Sequence, residues 1–483
     1  MTRALSLKHG ALAVACLALL AACGSDDDDA GTLPEETRPQ DSRSFTVANP
    51  TATTFAAMAP ASGDVVDMST TSRWAGTLDG AAYLVEVPAN WNGKLVMYAH
   101  GYAGTGTTLN VGPPSIRRHL IQQGYAWAAS SYSANFYDVR AGVEDTNALA
   151  LEFTKIASAN GRALTEPSKR FIIGHSMGGH ISAAAVEAEA IAQANHKVRY
   201  HGAVPMCGVV GDTELFNEFG AMQLTAQALA GVPANPIDKW ANVKDRVTST
   251  LFTTFPSVPT AKGQQYLSVL MNLTGGPRPM FDLAIAFGGS FAAPWGVFGG
   301  DGTLDGILTR KVIDTNAYTY TITGDASGSA ALNASVQKLT ADPQANRLRR
   351  DGLRWVPKVN GEINVPVVSI HTLGDLFVPF SMQQTYAQRA AAKGTGQWLV
   401  QRAIRGVSHC DFTVAEQVEA FDAMTTWEAG GARPAGDDVL AAATVASPTY
   451  GCTWTRNDVN GPDESATTKA LRPPTVANSV PCP

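Results

Sequence analysis

The stretch 174–179, which reads Gly-His-Ser-Met-Gly-Gly, decides how the rest of this chain is organised. It follows a short run of β-forming residues at 170–173 and precedes a run of small, helix-favouring residues that begins at Met177. Glycines stand two residues before and two residues after Ser176, where larger side chains would collide with a sharply turned backbone. The pattern therefore predicts a strand, a tight turn that presents Ser176, and a helix whose first amide groups point at that turn.

Strands and helices alternate on both sides of this turn. A continuous apolar run at 95–99 is typical of a strand that is buried on both faces of a parallel sheet, and the sheet pattern resumes at 365–370. Shorter alternating runs at 44–48, 72–78 and 81–87 predict antiparallel strands at the beginning of the sheet. The sequence therefore predicts an α/β protein with a mostly parallel central sheet flanked by helices.

Residues 212–350 interrupt this alternation with helical stretches and turns, which predicts a large helical insertion between two late strands. One part of the insertion, residues 280–299, is apolar and aromatic. Its aromatic residues either line a pocket for an apolar group or form the insertion's own core. They are Phe281, Phe287, Phe291, Trp295 and Phe298.

Three residues suited to nucleophilic catalysis follow predicted strands. A serine hydroxyl is a weak nucleophile at neutral pH, so it needs a base to take its proton and a third group to orient that base. Ser176 lies at the turn, Asp375 comes just after the strand that begins at residue 365, and His409 comes just after the last strand, at 397–405. Because open α/β sheets place their sites at the carboxyl ends of their strands, we expect the three side chains to converge there.

The sequence offers other histidines and carboxylates for the same roles. We expect His175, His180 and His100 to be structural, with His100 supporting the loop that follows its strand. The fallback candidates for the acid lie after an earlier strand, and Asp411 is too close in sequence to His409 to orient it comfortably. These fallback acids are Asp138, Glu144 and Asp145.

The pattern Gly-x-Ser-x-Gly in its strand–turn–helix context, with the chain order Ser, Asp, His, resembles the serine hydrolases of the α/β-hydrolase superfamily. The resemblance covers roughly residues 72–430 and implies an α/β-hydrolase fold with a helical cap. It also implies an acyl-enzyme intermediate, no metal or organic cofactor, and an oxyanion hole formed by the backbone amides of Met177 and Tyr102. The loop that carries Tyr102 lacks the His-Gly-Gly-Gly form of the family.

The first 22 residues resemble a bacterial lipoprotein signal peptide: a basic start, a short apolar core and Leu-Ala-Ala before Cys23. An ordinary secretory signal is the alternative. The resemblance implies cleavage before Cys23 and lipidation of its thiol, and Gly24 implies sorting to the outer membrane. We therefore expect the protein in the cell envelope, held to the membrane by a lipid anchor.

These observations divide the chain into six parts. They are a signal peptide at 1–22, a disordered acidic tether at 23–42, the N-terminal part of the hydrolase core at 43–211, the cap at 212–350, the C-terminal part of the core at 351–430, and a tail at 431–483.

Four cysteines remain after Cys23, and an exported chain would meet an oxidising compartment. Four cysteines allow three pairings, among which sequence alone does not choose. We expect Cys452–Cys482 to close the tail, and Cys207–Cys410 to form because both lie at the proposed catalytic edge; a reduced, buried Cys207 is the alternative. Their spacing does not match a metal site.

The net charge of the chain argues against one class of partner. The formal net charge is −6 and no basic patch is evident, so nucleic acid is not an expected partner. The main hypothesis is an esterase for small-molecule or polymer-derived carboxylic esters. Two alternatives stay open: an amidase or peptidase with the same triad, and an inactive surface binding protein on the same scaffold.

Overall fold

A computed structural model of the chain describes residues 34–232, 240–287, 290–297 and 307–483. Within them, Thr37–Pro483 form one compact unit. The predicted signal peptide, Cys23, the first part of the predicted tether and the aromatic residue Phe298 lie outside the described residues.

The described part of the chain contains twelve β-strands. They are β1 (Thr46–Val47), β2 (Ser72–Leu78), β3 (Ala81–Val87), β4 (Lys94–Ala99), β5 (Thr108–Leu109), β6 (Ala126–Ser130), β7 (Lys169–His175), β8 (Ala203–Met206), β9 (Phe252–Thr254), β10 (Val258–Pro259), β11 (Val367–Thr372) and β12 (Leu399–Ile404).

Fourteen α-helices are described. They are α1 (Arg117–Gln122), α2 (Val139–Ala159), α3 (Met177–Ala184), α4 (Ala188–Gln193), α5 (Glu214–Leu229), α6 (Trp240–Leu251), α7 (Ala261–Leu273), α8 (Phe281–Ala286), α9 (Ala292–Val297), α10 (Ala326–Ser335), α11 (Ser381–Ala392), α12 (Val414–Glu428), α13 (Ala442–Val445) and α14 (Ala466–Asn478). Short 3₁₀ helices lie at Pro39–Ser42, Met68–Thr70 and Gly396–Trp398.

Eight strands form the central sheet, in the order β12-β11-β8-β7-β4-β6-β3-β2. Strands β6, β4, β7, β8, β11 and β12 run parallel to one another, whereas β3 is antiparallel to both of its neighbours, β6 and β2, at one side. The prediction of an α/β protein with a mostly parallel central sheet flanked by helices is therefore confirmed.

Successive side chains of the buried strands pack on opposite faces of the sheet. On β4, Leu95 and Met97 pack into a core that includes residues of α2 and α3, whereas Val96 packs into a second core that includes residues of α1 and α12. All three side chains have 0% exposure. A strand covered on both faces must be apolar at every position, which explains the continuous apolar run in the sequence.

Helices α5 to α10 lie between β8 and β11, where the helical cap was predicted. Within this insertion, Phe291 and Trp295 are each 2% exposed and pack against an aromatic cluster that includes Trp240, Phe252 and Tyr266. These two residues therefore form part of the insertion's own core, in agreement with the second of the two interpretations above. Phe281 is also buried, and Phe287 is 37% exposed.

Some boundaries differ from the sequence predictions. Helix α2 begins at Val139 rather than at residue 143, because the Asp138 side chain accepts a hydrogen bond from the Ala141 amide and caps the helix. The prediction of an antiparallel strand at 44–48 is wrong: the strand shortens to β1, which pairs in parallel with β5 in a separate two-stranded sheet. The predicted tether is ordered at its end, since Arg38 is 7% exposed and forms an ion pair with Asp138. The tail, for which no helix was predicted, contains α14.

Strand β12 lies at one side of the sheet, and the tail covers its outer edge. The Asp437 amide donates to the Gln401 carbonyl at 2.7 Å, and the Asp437 carboxylate accepts from the Ala403 amide at 2.7 Å. Arg433 donates to the Leu399 carbonyl at 2.6 Å. The tail thus pairs with backbone groups of β12 at several points along the strand.

Candidate active site

Ser176 lies between β7 and α3 in a strained backbone conformation, with φ 57° and ψ −119°. A side chain at Gly174 would place its Cβ 2.1 Å from the Gly178 carbonyl oxygen, and one at Gly178 would lie 2.0 Å from the Ala99 carbonyl oxygen. Only glycine fits at either position, because real Cβ atoms do not approach other atoms so closely. The close packing of these glycines holds the turn that presents Ser176.

Ser176, His409 and Asp375 meet at the carboxyl edge of the sheet. Nε2 of His409 lies 2.8 Å from Oγ of Ser176, and Nδ1 of the same ring lies 2.6 Å from Oδ2 of Asp375. The three residues are brought together by the turn after β7, the loop after β11 and the loop after β12. This is the convergence expected from their positions after parallel strands.

The Asp375 carboxylate is fully buried and held on both oxygens. Oδ1 accepts from the amides of Phe377 and Val378, each at 2.9 Å, and from the Ser290 hydroxyl at 3.4 Å. Burial alone would raise the pKa of Asp375, but the charge and hydrogen bond of His409 hold it below its ordinary value. The residue is therefore an anion with a fixed orientation behind the imidazole.

A second buried imidazole, His371, supports the turn that holds Asp375. Its Nε2–H donates to the Val378 carbonyl at 2.7 Å, and its Nε2 lies 3.9 Å from Oδ2 of Asp375. Burial lowers the pKa of His371, so the ring is neutral. A neutral ring with its proton on Nε2 keeps the turn closed without competing for the carboxylate.

The inserted cap reaches this site through aromatic and polar contacts. The Phe377 ring meets the His409 ring edge-to-face with centroids 5.4 Å apart, and it stacks on Phe219 of α5 at 6.0 Å. The Ser290 hydroxyl also accepts from the Leu376 amide at 2.8 Å. Cap residues therefore contribute directly to the surroundings of the imidazole and the carboxylate.

The other candidate histidines are held away from this contact chain. Burial lowers the pKa of His175 to about 4 and that of His180 to about 4, so both are neutral. His175 contacts Gln417 at 2.9 Å, and His180 contacts the Pro357 carbonyl at 2.8 Å. The ring nitrogens of His100 lie 2.6 Å from the Gly101 carbonyl and 3.1 Å from the Ser131 carbonyl. These contacts fit the structural roles expected for all three.

The fallback carboxylates are likewise engaged away from His409. Asp138 caps α2, Glu144 accepts from the amides of residues 195 and 196, and Asp145 accepts from the Ser133 amide at 2.6 Å. Burial raises the pKa of Asp145 to about 6. Asp411 accepts a long 3.4 Å hydrogen bond from the Val407 amide. The structure thus places Asp375, and none of these four, against the His409 ring.

The residues proposed for the oxyanion hole lie on the two segments that border Ser176. Met177 begins α3, where the first amides have no partner within the helix. Gly101, the neighbour of Tyr102, lies so close that an added Cβ would be 3.3 Å from the Ser176 Cβ. Tyr102 is 44% exposed. The assignment of their amides to an oxyanion remains a prediction.

Both predicted cysteine pairings are present as disulfides. Cys207 at the end of β8 is joined to Cys410, and Cys452 is joined to Cys482. Sγ of Cys410 lies 3.5 Å from Nε2 of His409. Two disulfides indicate that the chain folds in an oxidising compartment such as the periplasm or the extracellular space.

Cys207, His409 and Cys410 bring sulfur and nitrogen atoms within 4.8 Å of one another, a spacing that suits a metal ion. Both sulfurs belong to the disulfide, so neither is a thiolate that could bind a metal. The cluster is therefore a cross-link beside the imidazole.

In the described part of the chain, no helix combines the length and the apolar character needed to cross a bilayer.

Sequence reasoning did not identify three residues that shape the site: Ser290, His371 and Gln417. Ser290 and His371 contact the Asp375 turn, and Gln417 on α12 contacts His175 beside the serine. His371 directly follows the predicted strand 365–370, so its burial near Asp375 could have been noted. No local pattern marks Ser290 or Gln417, because their contacts join segments 85 and 242 residues apart.

Comparisons with known proteins find resemblance only at the level of structure. No protein-family model matches the chain, and no curated protein matches its sequence. Feruloyl esterase B from Aspergillus oryzae is 16% identical with a TM-score of 0.40, and the match covers 76% of this chain and 82% of the esterase. Thermogutta terrifontis esterase 2 is 13% identical with a TM-score of 0.36, and the match covers 76% of this chain and 98% of the esterase. Candida antarctica lipase A is 14% identical with a TM-score of 0.34, covering 84% of each chain.

Proposed function

We propose that this chain is a serine hydrolase that cleaves carboxylic esters through an acyl-enzyme intermediate. The observation that carries the proposal is the continuous contact from Oγ of Ser176 to Nε2 of His409 and from Nδ1 of His409 to Oδ2 of Asp375. In it, Ser176 is the nucleophile, His409 the general base and Asp375 the group that orients the base.

Acylation begins when Nε2 of His409 takes the Ser176 proton as Oγ bonds to the ester carbonyl carbon. The carbonyl oxygen becomes an oxyanion, for which we assign the amides of Met177 and Tyr102 as donors. The C–O bond to the alcohol then breaks, and the imidazolium gives its proton to the departing alcohol. Asp375 stabilises the imidazolium while it exists and keeps the proton on Nδ1 directed away from the serine.

Deacylation repeats the proton transfers with water. Nε2 of His409 takes a proton from a water molecule, whose oxygen bonds to the acyl carbon and forms a second oxyanion. The bond between Oγ and the acyl carbon breaks, the imidazolium returns its proton to Oγ, and the carboxylic acid leaves. The chain's own residues supply every proton transfer in this cycle, so the proposal includes no metal or organic cofactor.

We further propose that the protein is exported and attached to the outer membrane through a lipid on Cys23. The lipoprotein-like start of the sequence supports this, and the two disulfides fit an oxidising compartment. Metabolic labelling with a fatty-acid probe tests it: the wild type should carry the label in the membrane fraction, and a Cys23→Ala variant should not. Label retained in Cys23→Ala would contradict the anchor.

The catalytic proposal is tested with nitrophenyl esters of increasing chain length, the matching nitroanilides and a fluorophosphonate label. We expect ester turnover and covalent labelling by the wild type, with both lost in Ser176→Ala. Faster turnover of anilides than of esters would indicate an amidase or peptidase instead. An absence of turnover and labelling in the folded wild type would favour the binding-protein hypothesis.

A further inference from the structure

The loop that carries His409 is held by the far end of the chain. We call residues 405–413 the histidine loop and residues 448–482 the C-terminal brace. At the beginning of the loop, the Arg405 guanidinium donates to the carbonyls of Pro448 and Val480, each at 2.7 Å. The Arg405 amide also donates to the Thr455 hydroxyl at 2.9 Å. The brace thus fixes the point at which the loop leaves β12.

The strongest link from the brace to the loop is Arg472 of α14, whose side chain is fully buried. Its Nη2 donates to the Asp411 carbonyl, two residues after His409, at 2.8 Å. Its Nη1 forms an ion pair with Glu416 of α12 at 2.7 Å and also donates to the Arg456 carbonyl at 2.7 Å. A buried guanidinium with these partners can adopt few other positions, so it fixes the backbone that it contacts.

Two more brace residues bind the backbone between the loop and α12. The Thr468 hydroxyl donates to the Phe412 carbonyl at 3.2 Å, and the Glu464 carboxylate accepts from the Val414 amide at 2.8 Å. Together with Arg472, they bind the backbone of residues 411, 412 and 414, shortly after the imidazole. The Cys452–Cys482 disulfide joins the two ends of the brace itself.

We propose that the C-terminal brace positions the His409 ring for catalysis and that Arg472 is the positioning residue at its centre. The inference rests on the proposed hydrolase function. Arg472 acts through the Asp411 carbonyl and Glu416, so it holds the histidine loop in the place where Nε2 reaches Ser176. A displacement of about 1 Å at a reacting group can lower a rate about 100-fold, so a modest loosening of this loop is enough to matter.

The test compares Arg472→Met and Arg472→Lys with a control in the same tail, Arg433→Met at an exposed position. Arg433 belongs to the same tail but donates to the Leu399 carbonyl on β12. We expect the kcat of Arg472→Met to fall about 10- to 100-fold with KM within about twofold. Arg472→Lys keeps the charge beside Glu416 and should lose less, and Arg433→Met should match the wild type. Fluorophosphonate labelling should slow in the same order.

Wild type and Ser176→Ala run beside these variants separate the two proposals. If the wild type does not hydrolyse esters, the proposed function fails. If the wild type is active and Arg472→Met is folded, less stable and unchanged in kcat, the brace is merely structural and this inference is overturned.

A milder change keeps the inference testable if Arg472→Met does not fold. Thr468→Val removes one hydroxyl of the brace, so its kcat should fall about fivefold with KM unchanged. An unchanged kcat in folded Thr468→Val would count against the proposal.

Discussion

The Cys207–Cys410 disulfide is expected to stabilise both the fold and the position of the base, and a double substitution to alanine separates these effects. The disulfide closes a loop with a sequence separation of 203 residues. The chain-entropy relation gives a loss of about 5 kcal/mol in the free energy of unfolding when such a loop is opened. Alanine is preferred to serine because Cys207 is fully buried, where a new hydroxyl would need a partner.

The matched control is the second disulfide. Cys452–Cys482 has a sequence separation of only 30 residues, for which the same relation gives about 4 kcal/mol. Urea unfolding of both double variants without reductant, followed by tryptophan fluorescence, gives the two values. The variant that lacks Cys207–Cys410 should be the less stable of the two.

Activity provides the second measurement on the same variant. Cys410 follows His409 directly and its Sγ lies 3.5 Å from Nε2, so loss of the bridge should loosen the imidazole. We expect kcat for nitrophenyl esters to fall about tenfold or more at temperatures where the variant remains folded. A variant with a stability loss below about 1 kcal/mol and an unchanged kcat would refute the reasoning that this bridge holds the histidine loop.

Three further substitutions have defined outcomes. Asp375→Asn should lower kcat about 10⁴-fold in the ester assay. The pKa of Asp375 is lower in the folded protein than its ordinary value of 3.8, so the carboxylate stabilises the fold above about pH 3.8 and this contribution is lost as the pH falls further. Acid unfolding of the variant should therefore depend less on pH than that of the wild type. Burial raises the pKa of Glu218 to about 8, so stability should fall as pH rises from about 4.5 to about 8, and Glu218→Gln should flatten that slope in melting curves. Gly178→Ala should prevent correct folding, because its Cβ would lie 2.0 Å from the Ala99 carbonyl oxygen. Soluble yield and circular dichroism test this. Gly396→Ala is the control and should match the wild type, because the space around Gly396 is open.

Predictions from sequence succeeded where a local pattern carries a physical requirement. The runs at 72–78 and 81–87 are strands β2 and β3 with the predicted limits, as expected for short runs of β-forming residues that are bounded by turn residues. The meeting of Ser176, Asp375 and His409 followed from their places after parallel strands. A serine, a carboxylate and an imidazole at one sheet edge could therefore be expected before their distances were known.

Predictions failed where a contact joins distant segments or where the local pattern opposes the outcome. Helix α14 contains Pro473 and Pro474, which argue against a helix in the sequence. The helix forms because its buried residues, Arg472 among them, bind the segment around Glu416. The fully buried environment of Arg472 could not be read from the sequence, since arginine is ordinarily exposed.

The covering of β12 by residues 433–437 has a consequence for solubility. A parallel strand at the side of a sheet presents unpaired amide and carbonyl groups, which can template pairing with another molecule. Here the Asp437 main chain and carboxylate and the Arg433 guanidinium occupy these groups. A chain shortened before residue 431 would expose this strand and should aggregate, even if each catalytic side chain were retained.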